Sequence, residues 1–512
     1  MKKTLVIALA LLMLVSTLAA CGSSGSTEQT ANITTTAQNN PNPPVDTTAP
    51  QSTSTSTSQV EMTTETEPQL PALNFNNETV SILYWEDVSQ PEFEVENLSG
   101  DLIKDALYNR NIHVEEQIGI KFEWIGTPGN YHNQAVYVTQ IANDINAGGS
   151  YDIFAGYSMT AATIALKGFS RDLLQLQHID FEQPWWPASL TELATFKDRL
   201  YFCSGDISTN LIHSIYCIFF NKTLANELQL GNLYEVVEEG KWTIDKMAEC
   251  ASIAYSDLNG NSAVDDTDRF GIMMATNQYF DFFFLGAGLR TTDKDADGNL
   301  IMDATFASDV PLAILEKAVN IFHANHYAVA PATLSTVKTA IFAEGRSLFL
   351  FDVFNTAAST DFTSADITYG VLPLAKADEN QESYATATGF PYTMYSISNA
   401  ISAEDADRAA ATLEYMAAES YKNITPAVFE ITMKLKYADN EIDSKMYDLI
   451  RSSVYMDLGR IFSTPLDNYP STIFRQACID GNTNWASKIK SEGKAFSVLL
   501  KTLTRNLDAL AN

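Results

Sequence analysis

Three groups of residues in this 512-residue chain have the types and spacing to do chemistry. The sharpest is Asp257-Leu258-Asn259-Gly260-Asn261-Ser262-Ala263-Val264-Asp265-Asp266-Thr267-Asp268. Side-chain oxygens recur at the first, third, fifth, ninth and twelfth places, on Asp257, Asn259, Asn261, Asp265 and Asp268, with the Ala263 carbonyl at the seventh. Such a set suits a hard cation, Ca²⁺ before any other. The plainer alternative is a solvated acidic loop between a helix and the strand Phe270-Gly271-Ile272-Met273. A second stretch, Asp293-Lys294-Asp295-Ala296-Asp297-Gly298-Asn299, begins with similar spacing but lacks the later oxygens, and a hairpin turn at Asp297-Gly298 explains it better. The third group is aromatic. Trp85 and Tyr157 stand at the ends of apolar runs, where a ring can offer a flat face to a ligand. His323 and His326 share a helical spacing but have no third ligand nearby in sequence.

Enzyme signatures are missing. The chain has no HExxH, no phosphate-loop lysine and no GxSxG; Gly156-Tyr157-Ser158-Met159-Thr160 falls one glycine short. The paired carboxylates of a glycosidase have no fixed spacing, and none of the acidic residues sits in a hydrolase motif.

These residues need a frame to hold them. Val80–Trp85 reads as a buried strand, Gly100–Ile118 as a helix stopped by Gly119, and Ile120–Trp124 as a second strand. Val138, Ile141, Ala142 and Ile145 mark one face of another helix, ended by Gly148-Gly149, and Tyr151–Ala155 is a third strand. This βαβαβ order implies a parallel sheet with helices on its faces, and ligands on such sheets bind beyond the carboxyl ends of the strands. Trp85-Glu86-Asp87 and Gly156-Tyr157-Ser158 are two of those ends.

Ahead of this frame, Lys2 and Lys3 precede an apolar run from Thr4 to Leu14, the layout of a secretory signal over residues 1–20. Leu18-Ala19-Ala20-Cys21 resembles the bacterial lipobox, which would lipidate Cys21; an ordinary cleavable signal with a chance cysteine is the alternative. Residues 21–76 are rich in Ser, Thr, Pro and polar residues and read as a disordered tether. The remaining 77–512 is too long for one ordinary core and points to two lobes. Cys203, Cys217, Cys250 and Cys478 lack metal-finger or CxxC spacing and read as isolated buried thiols. The net charge of −31 argues against nucleic acid and, on average, against a strongly anionic ligand, unless a local basic pocket overrides it.

Seven segments follow one another in order: Ile153–Tyr157, Gln183-Pro184-Trp185-Trp186, Phe196–Phe202, Phe220-Asn221-Lys222-Thr223-Leu224, Glu239–Asp245, Phe342-Ala343-Glu344-Gly345-Arg346 and Tyr369–Leu374. Together they resemble the extracellular solute-binding protein family 1, the sugar-binding lipoproteins of ABC importers. The resemblance runs from about Val80 to the C-terminus. It implies an α/β, two-lobed periplasmic-binding-protein fold of the class II type, with a hinge and an interlobe cleft. Residues 77–205 would form the N-terminal lobe, with about 392–454 returning to it. Residues 206–391 would form the C-terminal lobe, with about 455–512 returning to that. Crossovers fall near Cys203–Asn210 and Thr388–Tyr392, and a helix from Ala403 to Ser420 starts at a Ser402/Asp405 cap.

The resemblance also implies a saccharide solute held by closure of the lobes, ABC permease subunits as partners, a monomer, and lipid anchoring at Cys21 on the extracytoplasmic face of a bacterial cell membrane. Placed on this frame, the ligand-binding candidates are Trp85, Tyr157, Trp186 and Asp206, then Asn277, Tyr279 and Asp281, then Asp352, Phe354 and Asn355. Phe282-Phe283-Phe284 reads as core. Replacing Trp85 or Tyr157 by Ala is expected to weaken binding without unfolding the lobe. The acidic loop resembles an EF-hand or dockerin calcium loop, with Ser262 where Gly is usual, Asn261 where Asp is commoner and Asp268 in place of Glu. Two other readings of the whole are a secreted polysaccharide-acting enzyme and a solute-sensing or surface-binding lipoprotein without transport.

Overall fold

Strand β1 (Glu78–Trp85), helix α1 (Leu102–Ile118), strand β2 (Ile120–Thr127), helix α2 (Gln134–Ala147), strand β3 (Ile153–Tyr157) and helix α3 (Ser158–Leu166) open the fold in a computed structural model of the chain. The structure describes residues 70–274, 277–324, 334, 336–430 and 441–510. The signal, Cys21, the tether up to residue 69 and His326 lie outside the described residues. β1 pairs in parallel with both β2 and β3, as the alternating strand and helix pattern requires. Gly119 ends α1 in the left-handed conformation, at φ 64°, which a side chain would resist.

The chain then enters a second sheet made of β4 (Tyr216–Asn221), β5 (Phe270–Met274), β8 (Ser347–Val353) and β9 (Tyr369–Leu372), in the order β5-β8-β4-β9. A small hairpin, β6 (Thr292–Lys294) with β7 (Leu300–Met302), lies between β5 and β8 in sequence. Its turn is the one expected at Asp297-Gly298, with Gly298 at φ 76°. Finally β10 (Thr393–Ile397) returns to the first sheet and pairs antiparallel with β3. The two sheets thus form two lobes. Two segments connecting them run side by side: Cys203 pairs with Tyr395, and Ile215 with Thr388.

The helix Ala403–Glu419 packs on α1 and β1, capped as expected by Ser402, whose hydroxyl accepts the Asp405 amide. Two boundaries differ from the sequence reading. The folded part begins before residue 77: Leu70, Leu73 and Phe75 pack on the core, and the Phe75 amide donates to the Ile118 carbonyl at 2.8 Å. Apolar residues spaced among prolines look like tether but are half-buried here. The return to the first lobe also ends before 454. The helix Glu441–Ser452 belongs to the second lobe, where Asp443 pairs with Lys222 and Tyr447 packs on Phe354. Of the final segment, helices Tyr469–Asp480 and Trp485–Leu510 pack on second-lobe elements, while Leu458–Ile461 touches α3 of the first lobe. Lys294 on β6 also bridges the halves, donating to the Leu193 and Thr195 carbonyls at 2.9 and 2.7 Å. The four cysteines are separate buried thiols, and Phe282, Phe283 and Phe284 are core.

Candidate functional site: the interlobe cleft

A cleft of about 630 Å³ opens where the carboxyl ends of β1, β2 and β3 face the second lobe, within the range of small-molecule sites. β1 delivers Trp85 and β3 delivers Tyr157, whose rings meet edge to face with centroids 5.4 Å apart. The Trp85 Nε1 donates to Thr393 Oγ1 at 2.8 Å. That bond ties the platform to β10, just beyond the hinge residues Phe390 and Pro391 that also line the cleft. Burial pushes the Tyr157 phenol well above its ordinary pKa, so it is a neutral hydroxyl.

The loop after β2 supplies Asn130, Tyr131 and His132. Asp87 fixes that loop by accepting the Gly129 and Asn130 amides, both at 2.8 Å, and Asn133 Nδ2 at 2.9 Å. Gly129 is required there, because a Cβ would stand 2.6 Å from the Trp85 Cβ. Tyr131 is left 56 % exposed at the rim.

From the second lobe come Gln278 and the first turns of helix Tyr469–Asp480, which present Asn468, Thr472 and Arg475. Arg475 is held by Asp281, Nε to Oδ1 at 2.9 Å, and Arg460 Nη1 reaches the other Asp281 oxygen at 3.0 Å. The Arg460 guanidinium also lies over the Phe390 ring, 4.4 Å from its centroid. The cleft floor therefore rests on two guanidiniums sharing one carboxylate.

Of the residues singled out from sequence, Trp85 and Tyr157 line this cleft. Asn277 apart, the others lie elsewhere. Asp281 is buried behind Arg475 and positions it. Tyr279 is turned inward, donating to Asp352 at 2.6 Å, and Asp352 is further paired with Lys338 inside the second lobe. Phe354 is fully buried between Tyr447 and Phe429, with Asn355 beside it. Trp186 is buried in the first lobe, its Nε1 donating to Glu414 at 2.9 Å. Asn277 begins a 3₁₀ turn next to Gln278, and its side chain lies outside the described residues. In each displaced case an aromatic or carboxylate that suits a pocket also suits a core or a buried ion pair. Tyr131, Gln278 and Arg475 were not legible, since no motif or periodicity marks them.

Asp206 sits on the first connecting segment, 3.7 Å from Arg451, and does not line the cleft. Burial, opposed by Arg451, pushes its carboxyl up to about 6 from 3.8. A raised acid binds its proton more tightly in the folded state. Its contribution to stability is full below pH 3.8 and is lost as pH rises through about 6. Relative to Asp206→Asn, which cannot ionise, wild-type stability should fall by about 2–3 kcal/mol across that window. Urea unfolding of both proteins at a series of pH values measures it, and parallel curves would refute the assignment.

The acidic loop closes on itself. Asp257 accepts the Gly260 and Ser262 amides at 2.7 and 2.8 Å, and Asp268 accepts the Asp265 amide at 3.2 Å. The Asn259 and Asn261 amides reach Asp265 at 3.1 and 2.7 Å, and Ala263 donates its amide to Asn261 at 2.6 Å. Ser262 takes φ 63° at the sharp turn, a left-handed conformation that costs a non-glycine residue. Among the described residues no three acidic, His or Cys side chains converge closely enough to share a metal.

No protein-family model matches this sequence, and a search of curated proteins finds no match. Solved structures do match. An ABC substrate-binding protein from Listeria monocytogenes, in complex with cycloalternan, aligns with TM-score 0.52 at 15% identity over 83% of this chain and 99% of that one. The cyclic alpha-maltosyl-1,6-maltose binding protein of Arthrobacter globiformis aligns with TM-score 0.55 at 14% identity, over 83% and 100%. The GacH receptor of Streptomyces glaucescens, solved unliganded and with acarbose, aligns with TM-score 0.53 at 13% identity, over 83% and 99%. The fold is therefore the two-lobed α/β fold of ABC-importer substrate-binding proteins.

Proposed function

We propose that this chain is the extracytoplasmic substrate-binding protein of an ABC importer and that it takes a saccharide into the cleft by lobe closure. The observation carrying this reading is the arrangement across the cleft: Trp85 and Tyr157 at strand ends of one lobe oppose Gln278 and Arg475 of the other. A ligand touching both sides favours the closed state by its differential affinity. The carbohydrate ligands named for the structural neighbours support the saccharide class. Among the described residues, Asp87 is the one carboxylate lining the cleft, and its oxygens are taken by three loop donors. A glycosidase needs two acting carboxyls, which favours binding over hydrolysis.

The anchor at Cys21, the permease partners and the monomeric state belong to the same proposal. No helix among the described residues is long and apolar enough to cross a membrane, so attachment would rest on the lipid. Thermal unfolding of the mature protein against neutral and acidic oligosaccharides tests the central reading. A ligand at a hundredfold excess over its Kd should add about 2.7 kcal/mol, and the sugar should be recovered intact. Cleaved sugar would move the reading to an enzyme, and no shift with any saccharide would end the carbohydrate reading.

Calcium in the Asp257–Asp268 loop is a structural proposal supported by the spacing of its oxygens, with Ser262 and Asn261 as departures that should weaken binding. Calcium should raise the unfolding midpoint and EDTA reverse it, with Asp257→Ala insensitive to both. An equal response of wild type and variant would remove calcium from this loop.

A further inference from the structure

Arg475 has an unused edge. Asp281 engages its Nε and Nη2. A guanidinium carries five N–H donors, so the edge formed by Nη1 and the second Nη2 hydrogen is left, and among the described residues no protein acceptor is seen for Nη1. Arg475 lines the cleft with its side chain 18% exposed. Two parallel donors in one plane match a carboxylate.

The surroundings favour an anion. Arg460 and Arg475 share the single carboxylate of Asp281. Asp457 adds a negative charge near Arg460, but its oxygens are engaged by Thr291, Thr292 and Gly459 and it does not line the cleft beside Arg475. Asp87 already accepts three bonds from its own loop, two on Oδ1 and one on Oδ2. Among the described residues Asp87 is the one carboxylate lining this cleft, and it is largely committed to its loop, so the other side-chain acceptors there are neutral amide and hydroxyl oxygens such as those of Gln278 and Asn468, whereas Arg475 offers a charged pair of donors. The chain's net charge of −31 does not forbid an anion here, since surface charges beyond about 8 Å are largely screened at physiological salt.

We infer that the cleft takes a carboxylate-bearing, uronate-type saccharide, its carboxylate held by the open edge of Arg475 and its ring faced by the exposed Tyr131. The inference rests on the saccharide reading above and narrows it. Calorimetric titration of the intact mature protein with a short oligogalacturonate, and with the same oligosaccharide after carboxyl reduction, tests it. The oligouronate should bind, its affinity falling with added salt. Carboxyl reduction, or Arg475→Gln in a variant shown folded by its unfolding midpoint, should weaken binding about 10- to 100-fold. The carboxyl-reduced sugar works on the wild-type protein, so the test survives a misfolded variant. Equal affinity for the reduced sugar, or an unchanged Arg475→Gln variant, would overturn the inference and leave the sugar-binding reading standing. Failure of both sugars and of neutral oligosaccharides to bind the folded protein would overturn both.

Discussion

Trp85→Ala should lose about 3–5 kcal/mol of stability as well as ligand binding. Trp85 is 1 % exposed, and its indole fills the space between Tyr157 and the Gly129 loop. Truncation leaves a cavity that this loop cannot close without moving Asp87 and its three donors, and it strips Thr393 Oγ1 of its partner. The loss should appear as a lower urea midpoint with little change in slope. This corrects the expectation that the residue could be removed without harm to the lobe. The rings at the strand ends, Trp85 and Tyr157, are 1 % and 4 % exposed and are packed as part of the lobe. Trp85→Phe keeps the contact with Tyr157 and should cost far less. A Trp85→Ala protein as stable as wild type would mean the indole is not buried in solution.

The second large effect is expected at Asp281. Asp281→Ala leaves Arg475 without its carboxylate and Arg460 with only the more remote charge of Asp457, and breaking a buried pair in this way costs about 3–5 kcal/mol. Both guanidinium side chains are largely buried, at 9% and 18% exposure, so water can relieve little of it. The damage should fall on the second lobe, where helix Asp281–Gly286 and helix Tyr469–Asp480 meet. Calorimetry should split into two transitions as that lobe melts first. Adding Arg475→Met to Asp281→Ala should recover part of the loss by removing the charge left without its carboxylate. No recovery would mean that the carboxylate acts through something other than these arginines.

The first sheet was legible because its signals are local. Val80–Trp85 and Ile120–Trp124 are apolar or alternating runs bounded by turn residues, and they became β1 and β2 with a few residues added at their ends. The rule placing ligands at strand carboxyl ends then led to Trp85 and Tyr157. The rest of the cleft is built from chain far away in sequence. Arg475 sits mid-helix among apolar neighbours, and nothing in Ile473-Phe474-Arg475-Gln476 marks it as reaching a cleft. Phe354 and Trp186 failed for the opposite reason: an aromatic beside a polar residue reads the same whether the ring faces a ligand or a core. The helix Glu441–Ser452 was assigned to the wrong lobe because its Asp443 contact with Lys222 is a tertiary event without a sequence signature.

The join between β3 and β10 has a consequence for how the protein is made. β3 ends at Tyr157, yet the strand that covers its free edge begins at Thr393, after the whole second sheet has been laid down. A chain emerging in order must keep β3 uncovered while more than half of its fold is still to come. So high a contact order slows folding and leaves an apolar strand edge open to other chains in the interval. Refolding from denaturant should therefore be slow and should lose yield steeply as protein concentration rises.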